Sequence, residues 1–228
     1  MMQIARLRII SDDEKEINAK KEAVETTWNH IIENYRAWET EDVIPLYLTH
    51  RGIYNDISLI VHSKSADSFA DYILKNLKNL DSVKDVWIFD LIKPELFSPP
   101  KNISQNLKRF TMALKTHPKE MKSIYLKISK VKPPSNIIIT YITFTFHKHN
   151  DILISLLAED RLSVEEFARD YIEGLRGVVS TEVVPIIKSK NLATADEWKK
   201  RCGQYFKLRD GTEKELEIYE RWYKRGFE

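Results

Sequence analysis

The stretch HNDILISLLAED, His149 to Asp160, repeats a pattern written earlier as YNDISLIVHSKS, Tyr54 to Ser65. Each sets an Asn-Asp pair before a run of apolar residues, which reads as a polar turn entering a buried strand. Asp56 and Asp151 stand 95 residues apart, and that single offset holds without a gap to the end of both copies. It aligns Asn55 with Asn150, Ser68 with Ser163, Leu80 with Leu175 and Val83 with Val178. Internal repetition of this kind predicts one structural unit used twice.

Working outward, the first copy reads as strand Ile4–Ile10, a long helix from Ser11 to Trp38, and strand Asp42–His50 with Pro45 at an edge or bulge. The Arg51-Gly52 turn, strand Asp56–His62, helix Ala66–Leu80 and strand Val83–Leu91 complete it. Ile17, Val24, Trp28, Ile31, Ile32, Tyr35 and Trp38 recur at three-, four- and seven-residue steps, the spacing of one helical face. PELFSPPKN, Pro94 to Asn102, holds three prolines and reads as a linker. The pattern then restarts with strand Lys108–Thr116, helix Pro118–Val131, strand Ile137–Phe146 and strand Asp151–Leu157. Helix Val164–Leu175 and strand Val178–Ile187 end the second copy, and Thr194–Glu228 suggests two further helices.

The order β-α-β-β-α-β is that of the ferredoxin-like unit, four antiparallel strands with two helices on one face. The expected fold is therefore α+β: modules at 1–96 and 108–192, a linker at 97–107 and a helical extension at 193–228. The strands IIITYITF and DILISLL are apolar on both faces, so the face without helices also needs a cover. Burying each uncovered side chain is worth roughly 1.5–3 kcal/mol, which predicts that the two sheets stack as a dimeric α/β-barrel within one chain. A homo-oligomer is the competing way to cover them.

Composition removes several function classes. A net charge of +2 offers no basic field for nucleic acid, and direct DNA binding is not expected. One cysteine, Cys202, excludes an internal disulfide and a cysteine-built zinc site. No stretch reaches the ~18 apolar residues of a membrane span, and the first residues lack a signal-peptide core, so a cytoplasmic setting is expected. With only six glycines there is no Gly-rich phosphate loop. No cofactor and no metal are expected: His147 and His149 form a pair without an identifiable third ligand, and no catalytic triad can be drawn from spacing.

The second copy resembles the effector-binding domain of the Lrp/AsnC transcription regulators. Asp151 matches that family's turn aspartate, and Gly177-Val178-Val179-Ser180-Thr181-Glu182 matches its Gly-Val-x-x-Thr-Glu stretch. The resemblance covers roughly residues 108–190 and implies a small-molecule effector, possibly an amino acid, bound by Asn150, Asp151, Gly177, Val178, Ser180 and Thr181. Asp56, the equivalent aspartate of the first copy, joins that set. The family's helix-turn-helix has no counterpart, because Ser11–Trp38 reads as one helix. The expected function is thus a ligand-binding regulatory protein without a DNA reader. Two alternatives stay open: an enzyme of the dimeric α/β-barrel type, resembling the haem-binding chlorite-dismutase-like proteins, and a non-catalytic interaction scaffold using the aromatic tail.

Overall fold

A computed structural model describes residues 1–9, 17–52, 56–97 and 106–202. The chain divides into two compact units, residues 1–90 with 187–202, and residues 91–186. The fold is α+β, with eight antiparallel strands and few helices among the described residues.

The first unit runs β1 (Met2–Ile9), α1 (Ile17–Asn34), β2 (Val43–Arg51), β3 (Asp56–Ser63), α2 (Ala66–Asn76) and the start of β4 (Val83–Leu96). Strand β3 is central, paired with β1 from Met2↔His62 to Leu7↔Ile57 and with β2 from Val43↔Ser63 to Arg51↔Asp56. Its eight residues are all buried, as the continuous apolar run requires. Helix α2 starts where Ser65 Oγ accepts from the Ser68 backbone N–H at 3.0 Å, a side-chain cap on an otherwise orphaned donor. One face of the sheet packs Leu7, Leu48, Ile57 and Leu59 against Val24, Ile31, Phe69 and Ile73 of the helices.

The second unit repeats the order with β5 (Lys108–Thr116), α3 (Met121–Ile128), β6 (Ile137–Phe144), β7 (Ile152–Ala158), α4 (Arg161–Phe167) and β8 (Val178–Asn191). Its strands lie in the order β8-β5-β7-β6, with the end of β4 beside β6. Asp160 caps α4 through the Ser163 N–H at 2.8 Å, the same position in the repeat as the Ser65 cap. The core joins Phe110, Met112, Leu156 and Val183 to Ile124, Tyr125, Ile128, Val164 and Phe167.

Several boundaries differ from the sequence reading. Helix α1 stops at Asn34, and a turn carries Tyr35 to Trp38. Pro94 lies inside β4 and not in a linker, because the strand continues to pair Glu95↔Ile142 and Leu96↔Tyr141 after a register shift that accommodates the missing N–H. Strand β8 likewise runs on to Asn191, so both 14-residue strands begin in one unit and end in the other. Helix α3 starts at Met121, since residues 118–120 form a turn, and α4 passes into a π-helical turn at Ala168–Glu173. A short α5 (Ala195–Cys202) follows β8, opened by a reciprocal Thr194–Glu197 capping pair. The second tail helix and the start of the first long helix lie outside the described residues.

Candidate functional site

The face of the first unit's sheet turned away from α1 and α2 carries charged and polar side chains. Register places Arg6, Ser58 and Thr49 in one cross-strand row and Asp56 beside Arg51 in the next, two residues along on the same face. Ile4, Ile60 and Tyr47 form the row on the other side. All but Thr49 are buried, with Arg51 only 4% exposed. A bulge between Pro45 and Tyr47 sets this arrangement, because one extra residue reverses which side chains of β2 meet the helices.

Asp56 and Arg51 pair at 3.6 Å. The Arg6 guanidinium lies 4.5 Å from the centre of the Phe89 ring, a cation–π contact. Thr49 Oγ1 donates to the Ser58 carbonyl at 3.3 Å. The Ser58 hydroxyl is buried and has no hydrogen-bond partner. Burial pushes the Asp56 carboxyl above its ordinary value, against the pull of Arg51, Arg6, Arg8 and Lys20. Two buried guanidiniums thus face one carboxylate whose ionisation is itself opposed by burial. A guanidinium and a hydroxyl in one buried row are groups that can stabilise an anion or a developing oxyanion.

The residues expected from the second copy lie in the second unit. Asp151 Oδ2 accepts from the Thr116 N–H at 2.8 Å and from Thr116 Oγ1 at 3.2 Å, while Oδ1 accepts from Lys115 Nζ at 2.9 Å. Asn150 Oδ1 and its carbonyl both accept from Thr145 Oγ1. Gly177 holds φ +94 and gives its carbonyl to the His117 N–H at 2.7 Å. Val178 and Ser180 pair with Thr116 and Lys115 across β5, and Thr181 Oγ1 donates to Glu173. Asn150 and Asp151 close a turn, whereas Gly177 to Thr181 enter a strand. Asp56 alone among the seven belongs to the charged face of the first unit.

Arg6, Arg51 and Ser58 escaped the sequence reading. The signal was present in IARLRII, where an arginine sits inside an apolar strand, and in Arg51, read as the start of a turn. Of the histidines, His50 and His62 are buried in the first unit, while His117, His147 and His149 of the second are outside its core. No group of three metal-ligating side chains occurs among the described residues. Among the described residues, the core between helices and sheet in the second unit is built from apolar side chains.

No family model matches the chain. No curated protein matches it by sequence. Solved structures do match. An anthrone oxidase-like protein is similar over 85% of this chain and 94% of its own, at 6% identity and a TM-score of 0.53, which establishes a shared fold. A proposed monooxygenase from Lactobacillus acidophilus covers 84% of this chain and 96% of its own at 10% identity, with a TM-score of 0.47. A chlorite dismutase mutant from Candidatus Nitrospira defluvii covers 90% and 94% at 7% identity, with a TM-score of 0.46.

These findings correct the sequence reading. The fold likeness runs to an oxidase-like protein and not to Lrp/AsnC effector-binding domains, and neither a regulatory function nor a role in transcription is retained. The physical reason for the misreading is local. A turn aspartate that accepts backbone N–H groups, and a glycine at positive φ entering a strand, are what this chain path needs at those points. The matching motif was a backbone signature.

Proposed function

We propose that the protein is an enzyme that binds a small organic molecule on the charged face of the first unit and stabilises an oxyanion formed from it. The observation that carries this reading is the buried, unpartnered Ser58 hydroxyl in the same row as Arg6 and one row from Asp56 and Arg51. A buried hydroxyl without a partner costs about 1–3 kcal/mol, and a ligand oxygen would recover it. Arg6 and Ser58 receive the oxygen, and the row of Ile4, Ile60 and Tyr47 receives the carbon skeleton. Asp56 is the proton acceptor. As it takes a proton from an acidic C–H, the electron pair of that bond moves onto the oxygen held by Arg6 and Ser58, giving an enolate and a neutral Asp56. A carboxylate whose pKa is raised by burial is a stronger base, and neutralising it relieves its own desolvation.

The shared fold with an anthrone oxidase-like protein supports starting with enolisable polycyclic ketones and phenols as substrates. The same reading assigns both units, 1–96 and 108–192 with their linker and helical extension, to tandem ferredoxin-like modules of the dimeric α/β-barrel class. The repeated element order supports that assignment. No helix among the described residues is long and apolar enough to cross a membrane. A cytoplasmic setting is proposed from the single cysteine. Self-association is proposed from Val179 and Ile187, which expose 57% and 59% of their surface on β8.

The test is solvent-deuterium exchange at the acidic C–H of anthrone and a set of 1,3-diketones, with oxygen uptake measured in parallel. Wild type should exchange well above the buffer rate. Asp56→Asn should lose about 100-fold and Ser58→Ala about 10-fold, the range typical of a general base and of one oxyanion donor. Exchange at the buffer rate across the whole set would end the proposal.

A further inference from the structure

An opening lies in the first unit, away from the charged face. It is a cleft of about 330 Å³ between the turn after α1 and the exposed side of α2. Trp38 and Tyr72 form its aromatic walls with Val43 beneath, while Ser68, Asp71 and Lys75 stand at its rim. The His30 ring meets Trp38 at 5.7 Å between centroids, tilted by 42°. Its volume falls at the lower end of small-molecule pockets.

Three polar groups here have no hydrogen-bond or ion-pair partner among the described residues. Tyr72 is 4% exposed, yet its hydroxyl has no hydrogen-bond partner. Burial and the nearby Glu39 push the phenol pKa up, so the hydroxyl keeps its proton and remains a donor. Asp71 and Lys75 are exposed neighbours one helical turn apart, and neither has an ion-pair partner among the described residues. The other carboxylate of the cleft is occupied, since Asp42 pairs with Lys64 at 2.7 Å.

We infer that this cleft is a binding site for a planar heteroaromatic ring whose edge carries N–H donors beside a carbonyl, as a guanine-type base does. The indole of Trp38 stacks on the ring face, which is worth about 1–3 kcal/mol for a base on an aromatic side chain. Asp71 accepts the paired N–H groups, and Lys75 and Tyr72 donate to the carbonyl oxygen. With one free carboxylate and one free ammonium, the polar rim is balanced and favours a neutral ring over an ion. Adenine, which lacks the paired N–H donors beside a carbonyl, fits this edge poorly.

Guanosine and adenosine are the probes, titrated into the full chain while tryptophan fluorescence is followed. Guanosine should quench saturably, with a dissociation constant in the range of about 0.1–1 mM, typical of one stacked ring with two or three hydrogen bonds. Trp38→Phe should abolish the quench, and Asp71→Asn should weaken binding about 10-fold. Tyr72→Phe should weaken it several-fold while leaving the melting temperature unchanged or higher, because it removes an unsatisfied buried hydroxyl. Lys75→Gln, on an exposed helix face, gives a variant whose folding is not at risk, and it too should weaken binding. Adenosine should not saturate. The inference is overturned if guanosine gives no saturable quench up to its solubility. It is equally overturned if adenosine binds as well, or if Asp71→Asn and Lys75→Gln both bind like wild type.

Discussion

Asp56 and Asp151 occupy the same place in two copies of one pattern, 95 residues apart, yet the protein treats them differently. Asp151 ends in the second unit tied to Thr116 through the backbone and the hydroxyl, and to Lys115 through its ammonium group. Asp56 in the first unit faces Arg51 at 3.6 Å, with burial opposing its charge. The turn aspartate at one position secures a strand, and its counterpart lies on the charged face proposed as the site. The same divergence separates Gly177 from Ser82, its partner in the repeat. Gly177 takes a positive φ where a Cβ would strike Glu120, while Ser82 shares a 2.5 Å hydrogen bond with Thr27 of α1. The two units share one order of elements, and the side chains at these matched positions differ in what they bond.

This contrast can be broken most forcefully at Asp151. Asp151→Ala strands the buried Thr116 N–H and hydroxyl, and urea unfolding should show a loss of about 3–5 kcal/mol. An effect no larger than that of Asp56→Asn would erase the distinction. Gly177→Ala forces a side chain into a left-handed backbone against Glu120, and should cost about 2–4 kcal/mol by the same measurement. Ser82→Ala, at the matching position, should cost only about 1 kcal/mol.

Acid should also act on the first unit. His62 is buried on the charged face's far end, and burial, then the Met1 amino group and Arg201, lower its pKa to about 4. Between pH 6.5 and about 4 the unfolded chain takes up a proton that the folded chain refuses, so stability falls as pH falls through this window. The loss should reach up to about 3 kcal/mol, and His62→Gln should flatten that part of the pH–stability curve. Asp56 works in the opposite sense. Its raised pKa means that its contribution to stability is lost as pH rises above 3.8, so the two slopes partly cancel. The smallest expected effect is at Ser58. Ser58→Ala removes a hydroxyl that bonds to nothing, and the melting temperature should stay within about 1 °C or rise slightly. A clear loss of stability there would place the hydroxyl in a structural role and remove it from the site.

Much of the fold was legible. The elements of both copies follow from apolar periodicity, from Ser65 and Asp160 capping α2 and α4, and from the Asn-Asp turns. The charged face was not legible, because a strand's two faces are told apart by parity, and parity in β2 is reversed by the bulge after Pro45. Strand β6 carries a comparable bulge between Ile139 and Tyr141. Counting along VIPLYLTHR without that bulge turns Tyr47, Thr49 and Arg51 toward the helices, where none of them lies. Pro94 was read into the linker for a related reason: prolines argue against a central strand, but β4 places Pro94 at a register break where no N–H is required.

By itself the sequence determined a repeated α+β unit, its helices, its turns and its apolar strands, since these depend on neighbours a few residues away. Only the tertiary structure decided that Arg6, Arg51, Asp56 and Ser58 share one buried surface, because register between strands distant in the chain sets which side chains meet. Whether a carboxylate serves a turn or a reaction depends on the charges brought beside it, and those charges come from other strands.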